Sequence, residues 1–129
     1  MAKRFAEAKS LMRKTIPVAR RLLGKDDTTT IRMRWSYAIA LYADYDAALD
    51  DLREAVTTLE EAERIARRVL GGAHPLTGWI ESELRDARAA LRARETQDAF
   101  QTARTKLAQE RAELAKTLSD ASARPSQDA

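Results

Sequence analysis

The 129-residue chain has no cysteine and a single histidine, His74. Disulfides and thiolate zinc sites are therefore excluded, and one histidine cannot build a histidine-rich metal site. Glycine occurs four times, proline three times, and aromatic residues make up 5% of the chain, a composition typical of a helical protein. No apolar run approaches the ~18 residues that a membrane-spanning helix requires. We therefore expect no metal, no cofactor and no membrane partner.

Charged residues are plentiful, at 33% of the chain, but their signs are unevenly distributed. Residues 1–24 contain seven Lys or Arg and one acid, Glu7, whereas the whole chain carries a net charge of only +3. A basic, amphipathic N-terminal segment is also found in mitochondrial transit peptides. The internal repeat described next argues against that interpretation, because most of this segment has a counterpart within the chain.

An internal repeat is the strongest pattern in the sequence. Residues 19–24 (ARRLLG) return as residues 66–71 (ARRVLG), 47 positions later. Upstream, residues 5–8 (FAEA) resemble residues 45–48 (YDAA), which lie only 40 positions later. The difference predicts seven extra residues in the second copy, about two turns of helix at 3.6 residues per turn. Repeats of this length are typical of stacked helix pairs.

Apolar spacing predicts four helices, at about residues 3–23, 29–43, 46–70 and from Pro75 to about 94. Pro17 lies inside the first helix, where it either kinks residues 13–16 or splits the helix in two. The pattern weakens at residues 95–98 and resumes at Phe100, Leu107 and Leu114. We therefore expect a repeat segment over residues 1–95, a C-terminal helix over 96–118 that could pair with another copy, and a disordered tail over 119–129.

The junction between the second pair of helices carries a specific motif. Residues 70–77 (LGGAHPLT) resemble the Leu-Gly-x-x-His-Pro-x-Thr junction of tetratricopeptide repeats of the kinesin-light-chain type. Residues 23–30 (LGKDDTTT) are similar but lack the His-Pro pair. The resemblance covers about residues 5–91. It implies an all-α fold of antiparallel, tetratricopeptide-like helix hairpins in a short right-handed solenoid, with a C-terminal helical extension. So short an array predicts a piece of a longer one, a trimmed gene product or an oligomer.

The same resemblance implies a non-enzymatic, cytoplasmic scaffold whose partner is a protein or peptide. In related arrays, the first helix of each pair lines a groove for extended peptides. By that resemblance Arg32, Arg34 and Ser36 contact an acidic partner segment. Trp79 is a further candidate anchor because tryptophan is enriched in binding hot spots, with packing between helix pairs as the alternative, whereas Trp35 is assigned to the core. The competing interpretation is an ordinary solvated helix face. Two exposed array ends also predict self-association.

Nucleic-acid binding is the alternative function. It depends on the basic first helix, whose candidate phosphate contacts are Arg13, Lys14, Arg20 and Arg21. The 20 acidic residues and the lack of a helix-turn-helix or zinc signature argue against it. We assign no catalytic residue. His74 belongs to the junction, where its ring is expected to cap or pack the turn.

Overall fold

The computed structural model describes residues 2–44 and 46–123. It contains helices α1 (Ala2–Leu23), α2 (Thr28–Tyr42), α3 (Leu49–Leu70) and α4 (Pro75–Ala123). Within those residues all regular secondary structure is helical, which confirms the predicted all-α, tetratricopeptide-like fold. The chain divides into two compact units, Met1–Arg94 and Glu95–Ala129, which are described separately below.

The α1–α2 and α3–α4 junctions of the first unit have matching backbones. Gly24 and Gly71 have φ angles of 90° and 88°, a left-handed conformation that is strained for a residue with a Cβ. Each glycine N–H donates to a carbonyl four residues earlier, at 3.0 Å for Gly24 and 3.1 Å for Gly71. The glycines therefore end α1 and α3 in the same way, as the repeat predicts.

The repeat holds at a constant spacing, which corrects the expected seven-residue extension. Helices α1 and α3 end 47 positions apart, at Leu23 and Leu70, and each runs without interruption over its described residues. The counterpart of residues 5–8 is therefore 52–55 (LREA), inside α3. Residues 45–48 (YDAA), which resemble 5–8 in letters, lie before α3 begins, and Tyr45 is outside the described residues.

Three other helix boundaries differ from expectation. Helix α3 starts at Leu49 rather than 46, because the Asp44 carboxylate accepts the Asp46 N–H at 3.0 Å and holds a turn there. Helix α4 runs through residues 95–98 and on to Ala123, so 119–123, expected to be disordered, are helical. No glycine or proline interrupts that stretch. The rest of the expected tail, 124–129, lies outside the described residues.

Helix α1 is continuous through Pro17, which excludes its division into two helices.

The core of the first unit forms where α2 packs between α1 and α3, with the start of α4 against both α2 and α3. Side-chain pairs give the helix directions: Arg34 with Glu61 and Tyr37 with Glu54 make α2 and α3 antiparallel. Leu23 and Val69, in the last turns of α1 and α3, are 51% and 44% exposed. The buried cluster consists of Ile31, Tyr37, Ala38, Leu41, Ala55, Leu59, Ala62, Ile65, Ala66, Leu76, Ile80, Leu84 and Ala87.

Helix α4 differs from its repeat counterpart α2 on one face. On α2, four positions at helical spacing are buried, and one of them, Arg34, pairs with α3: Ile31, Arg34, Ala38 and Leu41. Forty-seven positions later the same face of α4 carries Gly78, Glu81, Arg85 and Arg88. Three of these four residues are exposed, and Glu81 is half-buried. This face of α4 is therefore suited to water rather than to another helix like α3.

Helix α1 has an exposed side that is apolar, in contrast to the exposed, charged face of α4. Leu11, Val18 and Leu22 lie along one side of it and are 60%, 40% and 78% exposed. The α3 counterpart of Val18 is Ile65, which is 6% exposed. Helix α1 thus resembles the second helix of a pair, and its outer apolar side is exposed to solvent.

The second unit contains the rest of α4. Its described apolar side chains are solvent-exposed, and Phe100, Leu107, Leu114 and Leu118 range from 56% to 60%. Among the residues that the structure describes, no helix is both long enough and apolar enough to cross a membrane.

Candidate functional site

The two tryptophans of the chain form a stacked pair between α2 and α4. The Trp35 and Trp79 ring centroids are 5.9 Å apart and their planes differ by 19°. Trp35 is half-buried against the core, whereas Trp79 is 51% exposed. We call this pair the tryptophan platform. Trp35 packs against the core, and Trp79 stacks on it with its indole partly exposed to solvent.

The platform forms one wall of an open groove of about 260 Å³, which Ser82 and Glu83 complete. The Tyr42 hydroxyl donates a hydrogen bond to the Glu83 carboxylate, so Glu83 is tied to α2. Burial, reinforced by the nearby negative charge of Asp86, raises the pKa of Glu83 above its usual value. The groove therefore combines an aromatic surface with an acidic wall on α4.

Two predicted site residues, Arg32 and Ser36, lie on α2 within one turn of Trp35. Both are exposed. Arg32 makes no ion pair with any residue that the structure describes. Arg32 also occupies the repeat position that Trp79 occupies on α4, 47 residues later. The exposed surface of α2 therefore offers an uncompensated positive charge one turn from the platform.

Arg34, the remaining predicted site residue on α2, does not lie on this surface. It is 7% exposed, and its Nη1 lies 3.1 Å from the Glu61 carboxylate of α3. The spacing of Arg34 from Ile31 and Ala38 places it on the stripe that packs against α3. Its charge is therefore used inside the fold, and the expectation that it contacts a partner is corrected.

A polar network crosses from α1 to α3 on another side of the unit. Lys9 pairs with Asp51 at 3.1 Å, and Arg13 lies 3.5 Å from Glu54. The Tyr37 hydroxyl bridges that second pair: it accepts from Arg13 Nε at 2.8 Å and donates to Glu54. Burial first, and then the hydrogen bond to Glu54, raise the pKa of Tyr37. Part of the basic α1 segment is therefore neutralised within the protein.

Another surface depression, of about 460 Å³, lies between α3 and α4 and does not resemble a binding site. Its walls are charged side chains, several of which pair with one another or with neighbours, such as Arg88 with Glu60 at 3.2 Å and Arg67 with Glu63 at 3.0 Å. It offers no aromatic or apolar anchor. The lining residues are Glu60, Glu63, Arg64, Arg67, Arg68 and Arg88.

His74 acts as a helix cap. Its Nδ1 accepts a hydrogen bond from the Leu76 backbone N–H at 3.0 Å, which confirms the expected role of its ring at the turn. Within the described part of the chain, no group of three or more His, Cys, Asp or Glu side chains could hold a metal ion.

Stacked helix pairs joined by matching glycine junctions define an all-α helical-repeat protein. Residues 1–28, which cover α1 and the first junction, match the model of the tetratricopeptide repeat family. The match supports a protein of the tetratricopeptide type, a family whose repeats generally mediate protein–protein interactions. No curated protein and no solved structure matches the chain.

The sequence interpretation identified Trp79, Arg32 and Ser36 as surface residues, but it missed the stack. Trp35 and Trp79 are 44 positions apart, three fewer than the repeat, so they do not occupy equivalent positions. Their contact arises because α2 and α4 pack side by side in parallel, as Tyr42 with Glu83 also shows. No local pattern in the sequence indicates this contact.

Proposed function

We propose that the chain is a non-enzymatic interaction module that binds a segment of another protein on the tryptophan platform. The observation that carries the proposal is the exposed Trp79 indole, held in place by Trp35 behind it. A rigid, partly exposed tryptophan offers a large contact area at little cost in conformational entropy. Tryptophan and arginine are also the residues most enriched in binding hot spots.

The chemistry around the platform suggests the partner's character. An apolar or aromatic side chain of the partner packs on Trp79. A partner carboxylate pairs with Arg32, which has no acid of its own, and Ser36 supplies a hydroxyl beside it. Glu83 and Asp86 then favour a basic group at the other end of the bound segment. The proposed ligand is an extended peptide with one apolar anchor and charges of both signs.

The kinesin-light-chain type of repeat and a cytoplasmic location are finer parts of the same proposal. The junction at residues 70–77 supports the repeat type through the His74 cap and Pro75, which begins α4. Proline suits the first position of a helix, because its missing N–H has no partner there.

The alternative function, nucleic-acid binding, gains no support from the geometry. Lys9 and Arg13 of the basic helix pair with Asp51 and Glu54 and are not free to neutralise phosphates. Lys14, Arg20 and Arg21 remain exposed, but no aromatic side chain accompanies them for base stacking.

The test is selection of binding peptides from a random display library, followed by calorimetric titration of the best one. Trp79→Ala should weaken binding by about 30-fold, or ~2 kcal/mol, while Leu22→Ala, which truncates an exposed side chain elsewhere, leaves it unchanged. Arg32→Glu should weaken binding of an acidic peptide several-fold, with Arg20→Glu as the matched control. Peptides that bind all four variants equally would refute the site.

A further inference from the structure

One face of α1 is the repeat counterpart of the side of α3 that α2 covers. The Arg34–Glu61 and Tyr37–Glu54 contacts identify this side of α3. On it, at alternating spacings of three and four residues, lie Ala55, Thr58, Ala62, Ile65 and Val69. Their counterparts on α1, 47 positions earlier, are Ala8, Leu11, Thr15, Val18 and Leu22. We call these five α1 residues the open face.

The open face is exposed where its counterpart on α3 is packed. Ala62 and Ile65 are 0% and 6% exposed, whereas Leu11 and Val18 are 60% and 40% exposed. The Thr15 hydroxyl donates to the Leu11 carbonyl at 2.7 Å, so it needs no partner from outside α1. The covered side of α3 therefore shows what fits the open face: a helix that lies antiparallel across it.

The charge beside the open face is reversed at one position. On α3, Glu61 forms the ion pair with Arg34. The α1 counterpart of Glu61 is Lys14, which is exposed and makes no ion pair with any residue that the structure describes. An arginine in the Arg34 position of a covering helix would meet a like charge, and an acid there would meet an opposite one.

Two neighbouring charges keep their sign. Arg68 of α3 pairs with Asp26, just before α2, at 2.6 Å, and its counterpart on α1 is Arg21. Glu54 of α3 has the counterpart Glu7. A helix that covers the open face therefore needs the pattern of α2 with one change of charge.

We propose that the open face binds an amphipathic helix of another protein, in the position that α2 occupies on α3, and that this helix carries Asp or Glu where α2 carries Arg34. Its inward side otherwise resembles that of α2, apolar at the positions of Ile31 and Leu41 and small at that of Ala38. The acid pairs with Lys14, while the apolar side chains remove the open face from water.

The helices of the first unit do not meet this description in a second copy of the chain. In such a copy α2 is already packed between α1 and α3, and it carries arginine at the position that needs an acid. The corresponding face of α4 carries Gly78, Glu81, Arg85 and Arg88, none of which is a large apolar residue. We therefore assign the partner to a different protein, with self-association as the competing outcome of the test.

The experiment is fluorescence anisotropy of a labelled synthetic peptide that copies residues 26–43, titrated with the full chain. The peptide includes Asp27, the N-cap of α2, which favours its helical form. With Arg34→Glu, the peptide should bind wild type at least about tenfold more tightly than the unchanged peptide does. The protein variant Lys14→Glu should reverse this order. Loss of folding cannot explain a reversal, because a misfolded variant would bind neither peptide.

The apolar contact is tested at Val18. Val18→Asp places a charge in the open face and should weaken binding of the Arg34→Glu peptide by about tenfold or more. Leu107→Asp makes a similar change at an exposed side chain of the second unit and should leave the binding unchanged. Circular dichroism checks that both variants remain helical.

Wild type that binds neither peptide, or binds both equally, would overturn the proposal, as would binding that Val18→Asp leaves intact. Displacement by the peptide selected for the tryptophan platform would move the site to the platform. A wild-type dimer that dissociates on Val18→Asp, measured by light scattering, would assign the open face to a second copy. None of these failures removes the proposed function, because that function rests on Trp35 and Trp79.

Discussion

Asp27 and His74, 47 residues apart, perform the same task with different chemistry. The Asp27 carboxylate accepts the Thr29 N–H at 2.8 Å, and the His74 imidazole accepts the Leu76 N–H at 3.0 Å. The surrounding backbone bonds also repeat at this spacing, including the Asp27 N–H to Gly24 and the His74 N–H to Gly71. The junction thus keeps its geometry while its capping group changes.

This equivalence predicts which substitutions the second junction tolerates. His74→Asp copies the first junction and should leave the free energy of unfolding nearly unchanged. His74→Ala removes the acceptor and should lower it by ~1 kcal/mol, the usual value of a helix cap. Urea unfolding of both variants, with Asp27→Ala as the parallel measurement, checks this. A His74→Asp variant as unstable as His74→Ala would contradict the equivalence.

The Arg34–Glu61 pair should contribute to stability rather than to binding. Glu61→Gln leaves a buried guanidinium without its counter-charge and should cost about 2 kcal/mol of unfolding free energy. Arg34→Met/Glu61→Gln removes the charge that needs compensation and should recover most of that loss. Thermal unfolding measures the stability, and titration with the selected peptide should give the wild-type affinity for the double variant. Weaker peptide binding by the double variant would indicate that Arg34 contacts the peptide.

Tyr37 links stability to alkaline pH. Its folded-state pKa is raised above the unfolded value of 10.0, so the folded state holds its proton more tightly. The resulting stability is fully present below about pH 10 and is lost as the pH rises through the folded-state pKa. Tyr37→Phe removes this linkage and should also cost ~1 kcal/mol at neutral pH through the lost hydrogen bonds. The comparison is urea unfolding of both proteins between about pH 8 and about pH 11, from roughly two units below the phenol pKa to one unit above it. Parallel pH dependences in the two proteins would refute the assignment.

The contrast between α2 and α4 predicts an asymmetric response to one substitution. Ala38 is fully buried against α3, and its counterpart Arg85 is exposed. Ala38→Arg should destabilise the protein by about 3 kcal/mol or more, since it forces a charge into a packed contact. Arg85→Ala should change stability by less than ~0.5 kcal/mol. Circular dichroism during thermal unfolding gives both values. A large loss in Arg85→Ala would mean that the polar face of α4 is covered.

Local signals in the sequence predicted the helices and junctions. Gly24 and Gly71 end helices because of backbone sterics, and capping side chains follow each of them within three residues. The burial of Arg34 could also have been predicted, because its spacing from Ile31 and Ala38 places it on the side of α2 that faces α3. It was missed because an arginine was taken to be solvent-facing.

Contacts and spacings between residues far apart in the sequence could not be predicted from such local signals. The Trp35–Trp79 stack depends on how α2 and α4 lie side by side, and the two rings occupy different repeat positions. The constant 47-residue spacing between α1 and α3 was hidden by a coincidental likeness between residues 5–8 and 45–48. Comparing the apolar positions of the two helices, rather than their letters, gives the constant spacing.

The most direct test of the account is the tryptophan fluorescence of the chain as the selected peptide is added. The chain has two tryptophans, and both belong to the platform, so the signal reports on that site alone. We predict that the bound peptide shifts the emission and protects Trp79 from quenching by acrylamide, with the same midpoint as the calorimetric titration. Saturating peptide that leaves both emission and quenching unchanged would show that the partner binds elsewhere and would contradict the proposed function.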